Sequence, residues 1–294
     1  MASLNTSKIK LPTSVTAAII MGAKDNSTIA ALSPATPQTF VNTEHILFHP
    51  SAEAEVVAEG GQKAAYDQTI SSVPAKLVKV QTTTRVTNEL QWADEDNRLE
   101  IMKAIQEDQA AAIARSLDYV VYHAVNPKTG GALSGGYTAL TTGATSVTTA
   151  GDALKDFDAL VDALNEEHEL NGIALSKAFA NQMRKLRVPG TGARVFPEVP
   201  LNLAVSNIEG VAAATSSTVN GQKATTPTKV LAIAGDFSMI RWGMVRDIMA
   251  ELIEFGDPDG AGDLKRTNEV AYRTEAVYAY GVLDPKAFAV LKSK

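Results

Sequence analysis

A mixed fold of the α+β class, with α/β as the alternative for the middle of the chain, is predicted by three observations. Residues 73–86 alternate Val78, Val80, Thr82, Thr84 and Val86 against Lys79, Gln81, Thr83 and Arg85, the two-residue period of a half-buried strand. Residues 93–124 repeat apolar side chains at Met102, Ile105, Ile113, Leu117, Val120 and Ala124, close to the 3.6-residue period of a helix. Residues 270–282 return to alternation, with Val270, Tyr272, Thr274, Ala276, Tyr278, Tyr280 and Val282 on one face and Arg273 and Glu275 on the other.

Composition bounds what such a chain can do. Its 294 residues suffice for two ordinary domains or one elaborate one, and 45% hydrophobic content is too apolar for a disordered chain. There is no cysteine, which excludes disulfide scaffolds, thiol catalysis and Cys-ligated zinc or iron–sulfur sites. A formal net charge of −6 has the wrong sign for a protein whose main task is gripping nucleic acid. No apolar run approaches the ~20 residues of a membrane-spanning helix.

The elements follow in order. Residues 1–40 carry only Lys8, Lys10, Lys24 and Asp25 as charges, and Pro12, Pro34 and Pro37 forbid a continuous helix, so an extended arm lying on something else is expected. A secretory signal is the rival, with Lys8 and Lys10 before an apolar stretch at 15–23, but Thr16 interrupts that stretch and leaves its core short. Residues 43–72 form short β-like pieces: Ile46, Leu47 and Phe48 before Pro50, then 54–58 running into Glu59, Gly60 and Gly61, then 66–70. This predicts a long hairpin with too few apolar residues to bury against itself. Two strands alone are marginal in water, and an uncovered edge invites another chain.

After Trp92, the acidic run Asp94, Glu95 and Asp96 suits a helix start. Neither glycine nor proline interrupts before Pro127, giving a helix of about 30 residues, or roughly 45 Å. Glycines 130, 131, 135 and 136 and the threonines up to Thr149 predict a flexible crossing. Asp152 or its neighbour caps a second helix with Leu154, Phe157, Leu160, Val161 and Leu164 on one face. A strand at 172–175, a helix at 177–186, a loop at 188–200 and a polar excursion at 211–227 follow. A strand at 229–234 ends in Gly235-Asp236-Phe237, and further strands lie at 248–255 and 270–282.

Motifs for catalysis fail in turn. Gly190 and Gly192 begin a G-x-G, but Val195 stands where the third glycine belongs, and no phosphate-binding G-x-x-x-x-G-K-[ST] exists. Ser134 lacks the flanking Gly-x of a nucleophile elbow. Asp257, Asp259 and Asp263 have part of a calcium-loop spacing, yet Ala261 and Asn268 occupy ligand positions, and a turn between the last two strands is the simpler account. His45 and His49 are four apart in a β-like setting with Pro50, which does not make a metal pair. His123 falls at the end of the long helix, where a cation complements the dipole. His168 lies among Glu166, Glu167 and Glu169 on a solvated helix.

The order of parts says more than any motif. A low-charge arm, a self-insufficient hairpin, a strand, a very long helix, an α+β insertion, a Gly-Asp-Phe strand end and two long strands resemble the HK97-fold major capsid proteins of tailed bacteriophages. The resemblance runs over nearly the whole chain. It is carried by Val56-Val57-Ala58-Glu59-Gly60, the strand 75–86 leading into the helix, Gly235-Asp236-Phe237, the Tyr/Ala-rich strand through Arg273, and Asp284-Pro285-Lys286-Ala287-Phe288.

The resemblance implies an N-terminal arm at 1–42 and an extended hairpin loop at 43–74 reaching a neighbouring subunit. It implies a peripheral domain at 75–149 and 247–294 with a spine helix at 93–124, and an axial domain at 150–246 around five- and sixfold axes. Hairpin residues Ile46, Phe48, Val56, Val57, Glu59 and Lys63 become the intersubunit contacts. The implied role is a structural one without cofactor, metal or catalysis: pentamers and hexamers closing an icosahedral virion shell around double-stranded DNA, assembled in the host cytoplasm.

DNA would be contacted weakly and without sequence specificity, because a strongly basic lining would hinder its movement. Lack of cysteine suits assembly in a reducing compartment. The short, proline-bearing arm leaves no room for a fused helical scaffold, so a separate scaffolding protein and little N-terminal processing are expected, with a portal and a decoration protein as further partners. Some family members crosslink a loop lysine to an asparagine. Lys63 lies near the hairpin tip, but no Asn and Glu partners align, and a solvated Lys63 is expected. An encapsulin-type shell or a soluble enzyme are the alternatives.

Overall fold

The two alternating stretches pair with each other. In a computed structural model, which describes residues 27–37, 44–49, 54–63, 65, 69–97, 101–164 and 168–294, β3 (Lys76–Thr87) runs antiparallel to β10 (Glu269–Val282), from Glu269↔Thr87 to Tyr280↔Lys76. Most of the expected arm (1–26), parts of the hairpin (50–53 and 66–68), Glu166 and Glu167 lie outside the described residues. The other edge of β10 pairs with β9 (Ile240–Ile253), which begins well before the expected residue 248 because Ile240 and Trp242 pair with Val282 and Tyr280.

Val78, Val86, Thr274, Ala276, Tyr278 and Tyr280 form the buried face of this three-stranded sheet. Across it lies the long helix. The chain is helical at α2 (Asn88–Asn97) and α3 (Ile101–His123), so helix begins before the expected residue 93. The Thr87 hydroxyl accepts the Leu90 N–H at 3.3 Å, a cap that the acidic run downstream had obscured. Gln109 ties α3 to the sheet: its amide donates to Thr84 Oγ1 and to the Tyr272 carbonyl, both at 3.0 Å, and its oxygen accepts from Thr274 Oγ1 at 2.6 Å.

A second, six-stranded sheet has the order β4-β11-β8-β5-β7-β6, comprising β4 (Thr145–Thr148), β5 (Gly172–Ser176), β6 (Asn207–Ile208), β7 (Val211–Ser216), β8 (Val230–Gly235) and β11 (Phe288–Lys292). Four of its strands depart from the sequence expectation, the two-residue β6 lying in a stretch with no assignment. The flexible crossing contains a short helix, α4 (Leu140–Gly143), and then β4, parallel to β11. The polar excursion at 211–227 opens with β7, parallel to β5. The tail adds β11 between β4 and β8. Helices α5 (Ala153–Asp162) and α6 (Lys177–Lys185) cover one face. The first is capped as expected, Asp152 accepting the Leu154 N–H, although Leu154 is exposed; in the second, Ser176 accepts the Phe179 N–H.

Period-two alternation then divides two cores across this sheet. Ile173, Leu175, Ala232, Ala234, Ala289 and Leu291 face Phe157, Leu160, Phe179 and Met183 of the covering helices. Ala174, Ile233 and Val290 face the other way, toward Val121 and Tyr122 of α3 and Tyr278 and Tyr280 of the first sheet. The Gly235-Asp236-Phe237 corner joins the layers. A Cβ on Gly235 (φ +157°) would stand 2.3 Å from the Ala287 carbonyl oxygen, so only glycine lets β8 pass β11 there. Asp236 accepts the Ser238 N–H at 2.9 Å, and Phe237 meets Phe288 edge-on with centroids 5.5 Å apart.

Candidate assembly surfaces

The hairpin is the part of the subunit that buries least. β1 (Glu44–His49) and β2 (Thr69–Pro74) pair antiparallel from Glu44↔Pro74 to His49↔Thr69 and form a sheet of their own. Its two faces differ. Ile46, Phe48 and Ile70 share one face, Phe48 opposite Ile70, and are 72%, 47% and 63% exposed. An apolar stripe of this size in solvent marks a contact surface. Ile70 belongs to it although sequence reasoning passed it over.

The opposite face touches the subunit at its root. There the His45 ring lies against Gly281, with Cδ2 2.9 Å from where a Cβ would stand, beside Val73. Burial, and secondarily the Arg241 charge, holds the His45 pKa below its ordinary value.

At the tip the expected β-piece 54–58 is irregular, pairing with no strand among the described residues. The turn closes with the Gly61 N–H donating to the Ala58 carbonyl at 2.9 Å, with Gly60 at φ +80°. Val56 is 99% exposed, and Glu59 and Lys63 are exposed too. Val57 is half-buried, its Cγ1 2.8 Å from the Cβ position of Gly61. The structure therefore gathers Ile46 and Phe48 on the shaft, places Val56, Glu59 and Lys63 in solvent at the tip, and packs Val57 within the tip.

The end of the arm behaves differently from the expectation of an extended piece lying elsewhere. It enters its own subunit through α1 (Thr28–Leu32), with Ile29 fully buried. Asp118, in the all-round apolar half of α3, is the receptor. Its carboxylate accepts from the Ser27 hydroxyl, the Thr28 and Ile29 N–H groups, the Thr28 hydroxyl and the Thr218 hydroxyl. The Thr28 hydroxyl, its proton given to Asp118, accepts from Tyr122 at 2.9 Å. Burial pushes the Asp118 pKa up, and the donors, Ser27 foremost, pull against that shift. Further along, the Trp242 indole donates to the Ser33 carbonyl at 3.0 Å, and the Ser33 hydroxyl to the Ile240 carbonyl at 2.8 Å.

The cation expected at the helix end is absent for a physical reason. His123 is buried, Nε2 donates to the Thr218 carbonyl at 3.1 Å and Nδ1 faces the Thr228 hydroxyl at 3.1 Å. Burial lowers its pKa to about 4, so the ring is neutral at pH 7.

The aspartates with partial calcium-loop spacing lie, as the simpler account held, between β9 and β10; Asp263 accepts the Lys265 and Arg266 N–H groups, and Asp257 and Asp259 serve an arginine. Arg85 bonds both oxygens of Asp259, Asp257 at 3.1 Å, Glu269 at 3.1 Å and the Gly262 carbonyl at 2.7 Å. Among the described residues, no group of His, Asp and Glu is arranged to hold a metal, and no helix is long and apolar enough to cross a membrane.

This architecture has relatives. The phage capsid family model matches residues 9–293. A solved structure from Mycobacterium phage Ogopogo is 35% identical, with a TM-score of 0.81 covering 92% of this chain and 92% of that one. One from Gordonia phage Cozz is 26% identical, with a TM-score of 0.74 covering 92% and 87%. The capsid of a native GTA particle shares the fold at 13% identity, with a TM-score of 0.61 covering 92% and 90%. No curated protein matches. The match to phage capsids does not favour the encapsulin alternative. With its HK97-like α+β fold, the chain belongs to the phage capsid family and is a shell protein of the virion.

Proposed function

We propose that copies of this chain assemble as hexamers and pentamers of an icosahedral head around double-stranded DNA, each hairpin clamping a neighbour. The observation that carries this reading is the solvent-facing stripe of Ile46, Phe48 and Ile70 on a separate two-stranded sheet. Val56, Glu59 and Lys63 extend the contact at the tip, and Val57 shapes it. Roughly 200 Å² of apolar contact at ~25 cal/mol per Å² is about 5 kcal/mol before ordering costs, whereas an exposed salt bridge adds at most about 1 kcal/mol.

In this reading residues 1–42 are the arm, 43–74 the hairpin loop, 75–149 with 247–294 the peripheral domain, and 150–246 the axial domain. The axial stretch shares its sheet with β4 and β11. The role is mechanical and not catalytic, which the failed motifs and the engagement of Asp257, Asp259 and Glu269 by Arg85 support. Assembly takes place in the host cytoplasm with a separate scaffolding protein, a portal and a decoration protein, and the negative net charge keeps DNA contact weak. Negative-stain microscopy of the purified chain tests the proposal. Closed or aberrant shells, tubes or capsomer rings are expected, and a monomer at every concentration, with the scaffolding protein supplied as well as without it, overturns it.

A further inference from the structure

The stretch 150–246 is divided by charge in an unusual way. Between Glu169 and Glu198 there is no acidic residue, while Lys177, Arg184, Lys185, Arg187 and Arg194 fall there, in a chain whose net charge is −6. Lys177, Lys185, Arg187 and Arg194 are exposed and Arg184 is half-buried. The surface is built. Backbone bonds from Val188 to Ala193 and from Gly192 to Val188 close the 187–194 turn behind α6, and Arg187 Nη1 is fixed by the Arg184 and Leu186 carbonyls at 2.8 and 2.9 Å.

Immediately before it, α5 and its flanks present Asp152, Asp158, Asp162 and Glu169 to solvent, against Lys155 alone. Among the described residues, none of these charges is engaged in an ion pair within the subunit.

The sheet sets these two surfaces toward opposite edges. α5 packs over β11 and β4, at one end of the order β4-β11-β8-β5-β7-β6, while α6 packs over β5, β7 and β8, toward the other end. A domain acidic toward one edge and basic toward the other suits head-to-tail association, where one edge meets the other edge of the next copy. A two-fold contact through either edge alone would set like against like. Nucleic acid fits the pair of surfaces less well, because the acidic row would repel the phosphates that the basic row attracts.

We infer that the occupant of the basic surface of α6 and the 187–194 turn is the acidic outer row of α5 on a second copy, making the contact that closes the ring of each capsomer. The inference rests on the shell reading above. Such complementarity fixes partner orientation and register, and contacts shorter than the Debye length of about 8 Å at physiological salt escape most screening.

A charge swap tests this. Lys185→Glu with Arg194→Glu, both exposed, is expected to leave a subunit with wild-type circular dichroism and melting but about tenfold fewer assembled particles at near-physiological salt. Adding Asp158→Lys and Asp162→Lys to the same chain restores the complementarity with its signs reversed and is expected to recover particles. Wild-type yield from the first variant overturns the inference, as does failure of the folded four-site variant to recover. Normal shells that no longer retain DNA would assign the basic surface to nucleic acid, and that also overturns it. If the wild-type chain forms no shells, the shell reading itself falls, an outcome distinct from the other three.

Discussion

The Asp118 carboxylate holds Thr28 twice, at 3.0 Å from its backbone nitrogen and 3.0 Å from its hydroxyl, so the end of the arm is bonded to the C-terminal part of the long helix. Asp118→Ala leaves the buried Thr28 and Ile29 N–H groups without an acceptor. Each such group costs about 1–3 kcal/mol, so a loss of about 3 kcal/mol in urea unfolding is expected. Residues 27–36 should also become the first site of limited proteolysis. Unchanged stability with an uncut arm would show that the bonds of Ser33 to Ile240 and Trp242 hold the segment without Asp118.

His123 gives the subunit a pH dependence. Its folded pKa, about 4, lies below the ordinary 6.5, so the folded state resists a proton that the unfolded state accepts. The stability of the neutral ring is fully present above 6.5 and is lost as pH falls toward 4, by about 3 kcal/mol across the window. His123→Asn should be less stable at pH 7 but should show a shallower slope of urea midpoint between pH 6.5 and 4. An unchanged slope would place the titration elsewhere, His45 being the next candidate.

Gly172 lies under Phe237. A Cβ there would stand 2.5 Å from Phe237 Cδ2, inside the corner that joins β8 to β9. Gly172→Ala should therefore destabilise by about 1–3 kcal/mol through overpacking. Adding Phe237→Leu to Gly172→Ala should cost less than the sum of the two single changes. Strict additivity in thermal unfolding would mean that the contact relaxes without strain.

The Arg85 cluster sets a lower pH limit on its loop. Arg85 holds the Asp259 pKa below its usual range, and the Thr267 hydroxyl, then Arg85, does the same for Glu269. Depressed carboxylates stabilise above the ordinary carboxylate range, and that stability disappears as pH falls through the depressed values. Hydrogen exchange across 256–263 should accelerate there, and Arg85→Met should produce the same acceleration at pH 7. Identical protection in wild type and variant at pH 7 would deny the arginine this role.

What the sequence made legible follows from range. β3 and β10 announced themselves because large apolar or β-branched side chains alternate along each, and α5 because Asp152 caps it locally. β11 and β7 stayed hidden for a different reason. Phe288-Ala289-Val290-Leu291 is covered on both faces and has no alternation to read, while Val211 to Ser216 is largely alanine with Thr215 and Ser216, neither strand-like nor helical in pattern. Asp118 was invisible because its donors lie about a hundred positions away in sequence, at residues 27–29 and 218. One signal did exist: an acid between Leu117 and Tyr119 where the helix is apolar on every side has to find donors. The hairpin was legible through what it lacks, since a deficit of buriable side chains shows in composition without any partner being known.

That deficit leads to the last prediction. Phe48 and Ile70 face each other across the ladder and are 47% and 63% exposed, so aspartate at both positions removes apolar contact without opening a cavity in the subunit. Phe48→Asp with Ile70→Asp should give a chain with wild-type circular dichroism that stays as monomers or loose capsomers in sedimentation. Val56→Asp with Val57→Asp acts at the tip, where Val57 also packs on Gly61, so its effect mixes lost contact with a distorted turn and the shaft pair is the cleaner probe. Two buried carboxylates facing an apolar neighbour would each have to be desolvated, which costs more than the lost apolar contact alone and should abolish closure. Full-sized, stable particles from the shaft variant would show that the hairpin is not the main clamp, and the strength of the shell would then have to come from contacts made by residues 150–246.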